Sequence, residues 1–227
     1  MSRLLLAAAA ALAATTALAL PVGGRAAAAC GTRSYSYAGL AASSGGYGVA
    51  ATITPLMRPT VRAGHVAAWV GVGGPGEGPH GSDEWLQVGI SVEPGRGDAL
   101  YYELAAPGQT PRYVMLKGHL PLDRGYRVAV LESPARHGAW AVWVNGTRMT
   151  RLIDLPGSHG VFGPVATTES WNGNVGACNT FRFGFAHVNV AARPGGSWTP
   201  MVAGVLDGPG YAVVRRTRGS FVALGGI

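Results

Sequence analysis

The chain has 227 residues, of which 18 are Lys or Arg and 11 are Asp or Glu, giving a formal net charge of +7 at pH 7. The positive charge is scattered, and only Arg215, Arg216 and Arg218 form a cluster, whereas a nucleic-acid-binding protein concentrates its charge on one element. Two cysteines and six dispersed histidines provide no metal-ligand spacing. We therefore expect no nucleic-acid partner, no metal and no cofactor.

The first 29 residues have the pattern of an export signal. A basic residue at Arg3 precedes an apolar run from Leu4 to about Leu20, and small residues suited to signal peptidase stand at Ala27 to Ala29. No later stretch reaches the roughly 18 uninterrupted apolar residues of a membrane helix. We predict a signal peptide at 1–29 and a secreted mature protein without a membrane span, carrying 16 basic and 11 acidic residues.

Cys30 and Cys178 form an even pair in a chain that is expected to be exported. Disulfides persist in the oxidising extracellular environment, so we predict a disulfide that ties Cys30 near the mature N-terminus to Cys178 in a late strand. In the chain-entropy model a bond that closes so long a loop stabilises by about 4 to 5 kcal/mol at most. Lipid attachment at Cys30 is the alternative, although Arg25 and Ala27 fit a lipobox poorly.

Residues 30–227 have the pattern of a single all-β domain. Segments rich in valine and aromatic residues are separated by clusters of Gly, Pro, Asn and Asp, and none has sustained helical periodicity. In chain order the predicted strands include HVAAWVGV (65–72), WLQVGISV (85–92), YRVAVLE (126–132), WAVWVNG (140–146) and FRFGFAHVNV (181–190). Strands at this spacing predict an antiparallel β-sandwich. A mature length of about 198 residues is enough to bury a real core.

The last of these predicted strands changes its alternation. Phe181, Phe183 and Phe185 share one face of the strand. The apolar parity then shifts onto Val188, which predicts a bulge or an exit from the sheet. We predict that residues 191–227 form a C-terminal extension of irregular segments with one or two further strands.

Two polar residues in apolar or Gly-rich strands are candidates for chemistry, since the chain has no GxSxG, HExxH or P-loop motif. Gln87 lies in DEWLQVGI, where the two-residue strand period puts Trp85 and Gly89 on its face. Glu169 lies in ATTESWNG, beside the aromatic surface of Trp171. A lone carboxylate in such a setting suits acid-base catalysis below neutral pH.

The order and rough separations of several short motifs resemble those of the eqolisins, a family of glutamic peptidases. The motifs are SYAGLAASSGGYGVAATITP (36–55), VAAWVGVGG (66–74), WLQVGI (85–90), ALYYEL (99–104) and TTESW (167–171). The agreement in order and rough separation extends over residues 36–190, about two thirds of the chain. The sharpest match is WLQVGI, which is similar to the family's Leu-Gln-Thr-Gly.

The resemblance implies a concanavalin-like, jelly-roll type β-sandwich that works as a secreted acid endopeptidase. Gln87 matches the family's catalytic glutamine, and Glu169 matches its catalytic glutamate. In the implied mechanism Glu169 activates a water as general base and returns the proton to the leaving amide nitrogen. Gln87 holds the water and donates its amide N–H to the developing oxyanion. The implied partners are protein or peptide substrates.

The resemblance also implies a substrate cleft on a concave sheet. The expected lining residues are Trp69, Trp85, Tyr102, Glu103 and Trp171. Core or edge packing is the structural alternative for the tryptophans. Glu103 follows two tyrosines, and we expect it to order the cleft by hydrogen bonds rather than to perform chemistry.

Two alternatives belong to other classes, because a fold does not determine a function. The first is a carbohydrate- or protein-binding module without peptidase activity, in which aromatic rings stack on sugars and Asn172, Asn174 and Asn179 supply hydrogen bonds. The second is a glycoside hydrolase with Glu103 and Glu169 facing each other across the cleft. We expect a monomer in each case.

Overall fold

The computed structural model describes residues 35–175 and 178–226. The predicted signal peptide and Cys30 lie outside the described residues. Cys178 is half-buried and packs against the core, and its disulfide with Cys30 stays a prediction. In the described part of the chain no helix has the length and hydropathy that a membrane span needs.

Valine- and aromatic-rich segments form strands because their side chains pack well on a pleated, half-buried surface. In the described chain a short 3-10 helix, Pro79–Gly81, accompanies sixteen strands. The strands are β1 (Ser36–Ala42), β2 (Gly48–Pro55), β3 (His65–Gly74), β4 (Glu84–Glu93), β5 (Gly97–Ala105), β6 (Arg112–Gly118), β7 (Tyr126–Glu132), β8 (Ala139–Val144), β9 (Thr147–Arg148), β10 (Ile153–Asp154), β11 (Pro164–Trp171), β12 (Phe181–Arg193), β13 (Gly196–Pro200), β14 (Ala203–Asp207), β15 (Tyr211–Thr217) and β16 (Ser220–Gly225). All five strands named from the sequence are present.

The strands form two antiparallel sheets. Sheet A has the order β14-β1-β11-β3-β4-β5-β6, and sheet B has the order β10-β8-β7-β2-β12-β16-β15, with β13 paired to β12 and β9 to β8. One apolar cluster contains residues of both sheets, including Leu86 and Val88 of sheet A and Phe183 and Phe185 of sheet B. The predicted all-β, concanavalin-like antiparallel sandwich is confirmed.

The central strands turn one face to this shared interior. On β7, Val128 and Val130 are fully buried, while Arg127 between the buried Tyr126 and Val128 is exposed. Burying one large apolar side chain contributes about 1.5 to 3 kcal/mol, and a register slip of one residue would turn the whole apolar set outward. The inner and outer faces of such a strand are therefore well determined.

The predicted change of parity in β12 is a bulge. The register between β12 and β2 shifts between Ala186 and Asn189, and His187 between them has a φ of +53°, which is uncommon for a residue other than glycine. Phe185 before the bulge and Val188 after it are both buried. The extra residue thus keeps both segments of β12 packed on the interior, and the strand does not leave the sheet.

The C-terminal segment contributes more strands than the one or two that were predicted. It contains β13 to β16, of which β16 lies between β12 and β15 in sheet B and β14 forms an edge of sheet A. Several of these strands, such as β14 with its exposed Val205, alternate weakly because much of their surface is exposed on both faces. Phe221 of β16 is 1% exposed and stacks on Phe185 with ring centroids 4.4 Å apart.

We expect Phe221→Ala to lower the free energy of unfolding by about 3 to 5 kcal/mol, because the change removes a buried ring and leaves a cavity. Chemical denaturation of the purified protein measures the effect. Val205→Ala on the edge strand β14, where the side chain is 46% exposed, is the control and changes stability by about 0.5 kcal/mol or less. Equal, small effects of both changes would show that β16 is dispensable.

Candidate active site

Gln87 and Glu103 are neighbours on the outer face of sheet A, the face that points away from the sandwich interior. Leu86 and Val88 on either side of Gln87 are fully buried in the interior, so Gln87 itself points outward. Gln87 pairs with Glu103 across β4 and β5, and residues directly opposite each other share a face with Cβ atoms about 5 Å apart. Trp85 lies two residues before Gln87 and shares the same face.

Glu169 also lies on this outer face, but farther along the sheet. It pairs with Ala67 of β3, whereas Gln87 pairs with Gly71, an offset of four residues or about 13 Å along the strand. The residue of β11 that pairs with Gly71 is Val165. The structure thus places the two predicted dyad residues on one face without placing them side by side.

Tyr101 occupies the row between them. It pairs with Gly89, two residues along β4 from Gln87, and its side chain is 1% exposed. The Nε2 atom of Gln87 donates a hydrogen bond of 3.1 Å to Tyr101 Oη. Burial raises the pKa of Tyr101 well above its ordinary value, and the charges of Glu169 and Glu103 raise it further. The phenol therefore stays neutral and keeps its hydrogen.

Tyr102, which was expected to line the cleft, lies in the interior instead. It pairs with the fully buried Val88 and belongs to the cluster between the sheets. The tyrosine on the outer face is Tyr101, which the sequence reasoning missed. The two-residue period counted back from Glu103 identifies Tyr101, because residues 101 and 103 must share a face.

Trp69 lies on the outer face in the same row as Tyr101, since both pair with Gly89. Trp69, Tyr101 and Ala67 form a small apolar cluster that is separate from the interior. The indole is 8% exposed, and its buried Nε1–H has no hydrogen-bond partner among the described residues. A buried donor without a partner costs about 1 to 3 kcal/mol, so this atom is a position where an oxygen atom of a ligand or water would be stabilised.

Two glycines allow these side chains to approach one another. A Cβ atom at Gly89 would lie 2.0 Å from the carbonyl oxygen of Ala68 and 2.7 Å from the Cβ of Trp69. A Cβ atom at Gly71 would lie 2.9 Å from the Cβ of Gln87. A side chain at Gly89 would therefore displace Trp69, and a side chain at Gly71 would displace Gln87.

Glu103 is hydrogen-bonded, as expected, and it is also electrostatically perturbed. Trp85 Nε1 donates a hydrogen bond of 3.2 Å to Glu103 Oε1. Burial raises the pKa of Glu103, and the negative charge of Glu169 raises it further, against smaller lowering effects of the Trp85 hydrogen bond and of His65. Glu103 therefore keeps its proton to a higher pH than an exposed glutamate does. A like charge nearby disfavours the ionised form of a carboxyl group, which is why Glu169 acts on Glu103 in this direction.

The surroundings of Glu169 are more open and aromatic. His65 Nε2 lies 3.2 Å from Glu169 Oε1, and the ring of Trp171, two residues after Glu169, lies 5.9 Å from that of His65. Tyr35 stacks on Trp171 with ring centroids 6.4 Å apart and is 49% exposed. Solvent and a polymer chain can reach the site from this end.

The asparagines of the binding-module alternative are mostly used within the fold. Asn179 is fully buried, and its Nδ2 atom donates to the carbonyl oxygens of Ala63 and Trp171 and to Ser170 Oγ. Asn172 is 2% exposed and accepts a hydrogen bond from the backbone of Asn174. Over residues 35–175 and 178–226, no group of three or more His, Cys, Asp or Glu side chains is arranged to hold a metal ion.

Comparison with known proteins identifies the fold but no sequence family. No protein-family model and no curated protein matches the chain. A crystal structure of Scytalido-glutamic peptidase with a peptide-based transition state analog has a TM-score of 0.53 at 13% sequence identity. A second crystal structure of Scytalido-glutamic peptidase, with a transition state analog inhibitor, has a TM-score of 0.52 at 15% identity. Each alignment covers 85% of this chain and 98% of that chain. SCP-B, a member of the Eqolisin family in a complex with the tripeptide Ala-Ile-His, has a TM-score of 0.48 at 13% identity over the same shares.

We expect Glu103→Gln to stabilise the protein increasingly as pH rises from about 4, near the pKa of an unfolded glutamate, to 7. Because the pKa of Glu103 is raised on folding, its protonated form favours the folded state at low pH, and this contribution is lost as pH rises through the folded pKa. Glutamine does not titrate. Denaturant unfolding at a series of pH values measures the difference, with Glu77→Gln at an exposed position as the matched control. A difference that falls as pH rises would contradict the raised pKa.

Proposed function

We propose that the protein is a secreted hydrolase that cleaves peptide bonds at acid pH and is a distant relative of the glutamic peptidases. The observation that carries this proposal is that Gln87, Glu103 and Glu169 share the outer face of sheet A, where the charge of Glu169 raises the pKa of Glu103. The likeness in fold to two crystal structures of Scytalido-glutamic peptidase with transition state analogs supports the choice of a peptide as substrate.

The two carboxyl groups take complementary roles in the proposed mechanism. Glu169 removes a proton from a water molecule, the role that the resemblance to the glutamic peptidases implies. The water oxygen forms a bond to the scissile carbonyl carbon, and the C–N bond then breaks. Glu103, which holds its proton at acid pH, transfers it to the leaving nitrogen. Proton exchange with solvent restores the starting state of the pair.

The developing oxyanion requires donors that do not disturb the charge of this pair. Gln87 uses one amide hydrogen on Tyr101 and has a second one to donate. Trp69 Nε1–H is buried and without a partner in the described part of the chain. Both groups are uncharged, and one well-placed donor contributes about 3 to 4 kcal/mol to the transition state.

Binding of a sugar or peptide chain without catalysis is the second candidate function. The exposed ring of Tyr35 stacks on the half-buried ring of Trp171 and forms an aromatic surface at one end of the site. Gln87, in contrast, is only 8% exposed. Gln87 pairs with Gly71, and the residue that pairs with Gly71 on its other side is Val165, which has no carboxylate. These two features are the observations that support binding without cleavage as the second candidate.

We expect Glu103→Gln and Glu169→Gln each to lower kcat/KM by about 10²- to 10⁴-fold, the usual contribution of a general acid or base. Gln87→Ala is expected to lower kcat by about 10²- to 10³-fold through the loss of an oxyanion donor. Cleavage of an acid-denatured protein between about pH 2 and pH 6 measures the rates, and Glu77→Gln is the control for the loss of one surface charge.

Full activity in Glu103→Gln with loss in the other two variants would assign the reaction to Gln87 and Glu169 alone. Wild-type activity in all three variants would show that this site does not carry out the reaction. A wild-type protein that cleaves nothing but binds a denatured protein or a polysaccharide through Trp171 would establish the binding function instead.

We expect His65→Gln to move the alkaline limb of the kcat/KM profile to higher pH. The positive charge of His65 lowers the pKa of Glu103, so its removal lets Glu103 hold the catalytic proton to a higher pH. The pH dependence of kcat/KM reports groups of the free enzyme. His137→Gln, at an exposed position outside the site, is the control. A shift of the alkaline limb to lower pH in His65→Gln would show that a group other than Glu103 determines this limb of the kcat/KM profile.

A further inference from the structure

The outer face of sheet B, on the opposite side of the sandwich from the candidate active site, carries two adjoining cavities. The first has a volume of about 240 Å³ and the second about 210 Å³. Trp143 lines both of them, Trp198 and Arg127 line the first, and Arg148 lines the second. We call this feature the sheet-B groove and define it by these four residues.

The sequence forms this groove by placing small residues beside a large one. Trp143 of β8 pairs with Ala129 of β7, and Ala129 pairs with Ala50 of β2. All three side chains point outward, because neighbours such as Val142 are fully buried in the interior. Methyl groups next to an indole leave a depression along the indole face. Trp198 of β13, which pairs with β12 beyond β2, forms the other wall.

The tryptophans offer flat apolar faces and a hydrogen-bond donor that is not in use. The Nε1–H of Trp143 is buried and has no partner among the residues that the structure describes. A buried tryptophan N–H usually finds an acceptor, and leaving it unpaired costs about 1 to 3 kcal/mol. The groove therefore fits a ligand that carries oxygen acceptors at the edge of a flat ring or chain.

The charge of the groove is positive and uncompensated. Arg127 and Arg148 are exposed, and neither guanidinium forms an ion pair within residues 35–175 and 178–226. Glu132 also lines the second cavity, but its side chain is fully buried and its Oε1 lies 2.8 Å from His159 Nδ1. The planar fork of an arginine binds carboxylates in a bidentate manner, so the ligand is expected to be an anion.

We propose that the sheet-B groove binds an acidic polysaccharide, a chain of sugar rings that carry carboxylates. The apolar faces of the rings pack on Trp143 and Trp198, a ring hydroxyl accepts from Trp143 Nε1–H, and the carboxylates bind Arg127 and Arg148. The first cavity, at about 240 Å³, is as large as the space that about eight water molecules occupy in liquid water. A space of this size suits one sugar ring, and the second cavity extends the site to a neighbouring ring.

A peptide fits the same surface less well. The strands beneath the groove, β7 and β2, are interior strands of sheet B with neighbours on both sides. Their backbone groups are therefore paired within the sheet, and a peptide cannot bind by adding a strand. This binding function is independent of the proposed peptidase activity, because the groove and the candidate active site lie on different sheets.

The test is native affinity electrophoresis of the full chain in gels containing polygalacturonate, together with calorimetric titration of the same polymer. We expect Trp143→Ala and Trp198→Ala to weaken binding at least 10-fold, and Arg127→Gln and Arg148→Gln to weaken it several-fold with a smaller salt dependence. Trp143→Phe keeps an aromatic face but removes the N–H, so we expect an intermediate loss and a preserved fold. Arg112→Gln, at an exposed position on sheet A, is the matched control for the arginine variants and binds as the wild type does.

Three results would overturn the proposal. The first is that polygalacturonate does not retain the wild type. The second is that the Trp143 and Arg127 variants bind as the wild type does, and the third is that neutral dextran is bound as tightly as the acidic polymer. Displacement of polygalacturonate by a denatured protein would assign the groove to peptides instead. Glu103→Gln and Glu169→Gln are expected to bind polygalacturonate normally, so failure of the peptidase proposal is distinguishable from failure of this one.

Discussion

The interaction on which the rest of this structure depends is the packing of the apolar faces of two antiparallel sheets against each other. Each strand has a period of two, so a residue whose neighbours are buried in the interior must point outward. Leu86 and Val88 are fully buried, and this burial places Gln87 on the outer face of sheet A. The same constraint places Trp143 between the buried Val142 and Val144 on the outer face of sheet B.

The candidate active site shows how an apolar sheet surface modifies the chemistry of its few polar groups. Glu103 is partly removed from water, and Glu169 adds a like charge, so the pKa of Glu103 is raised. Tyr101 is buried beneath them and stays neutral. A raised pKa suits Glu103 to keep a proton that it can donate at acid pH. Gln87 and Trp69 add donors to this environment without adding charge.

The two outer faces have different chemical character, which suits two different partners. The outer face of sheet A carries acids, an amide and buried aromatic rings around Trp69 and Tyr101. The outer face of sheet B carries Trp143 and Trp198 with the exposed Arg127 and Arg148. In the proposed arrangement, sheet B attaches the protein to an acidic polymer while sheet A remains free for a peptide. A rigid sandwich keeps the two sites apart, because their strands belong to separate hydrogen-bonded sheets.

The sequence by itself determined the β-sandwich, the five named strands and the change of alternation near His187, because strand alternation is a local property that burial enforces residue by residue. That this change is a bulge and not an exit from the sheet was decided by the structure. It also predicted that Gln87 and Trp85 share a face. Only the tertiary structure decided which strands are neighbours, and hence that Glu103 is the carboxyl beside Gln87 while Val165 lies across Gly71. The place of β16 likewise depends on its pairing with β12, a strand distant in sequence, which no local pattern encodes. Register across a sheet is set by the packing of the whole interior, and for that reason it appeared only with the fold.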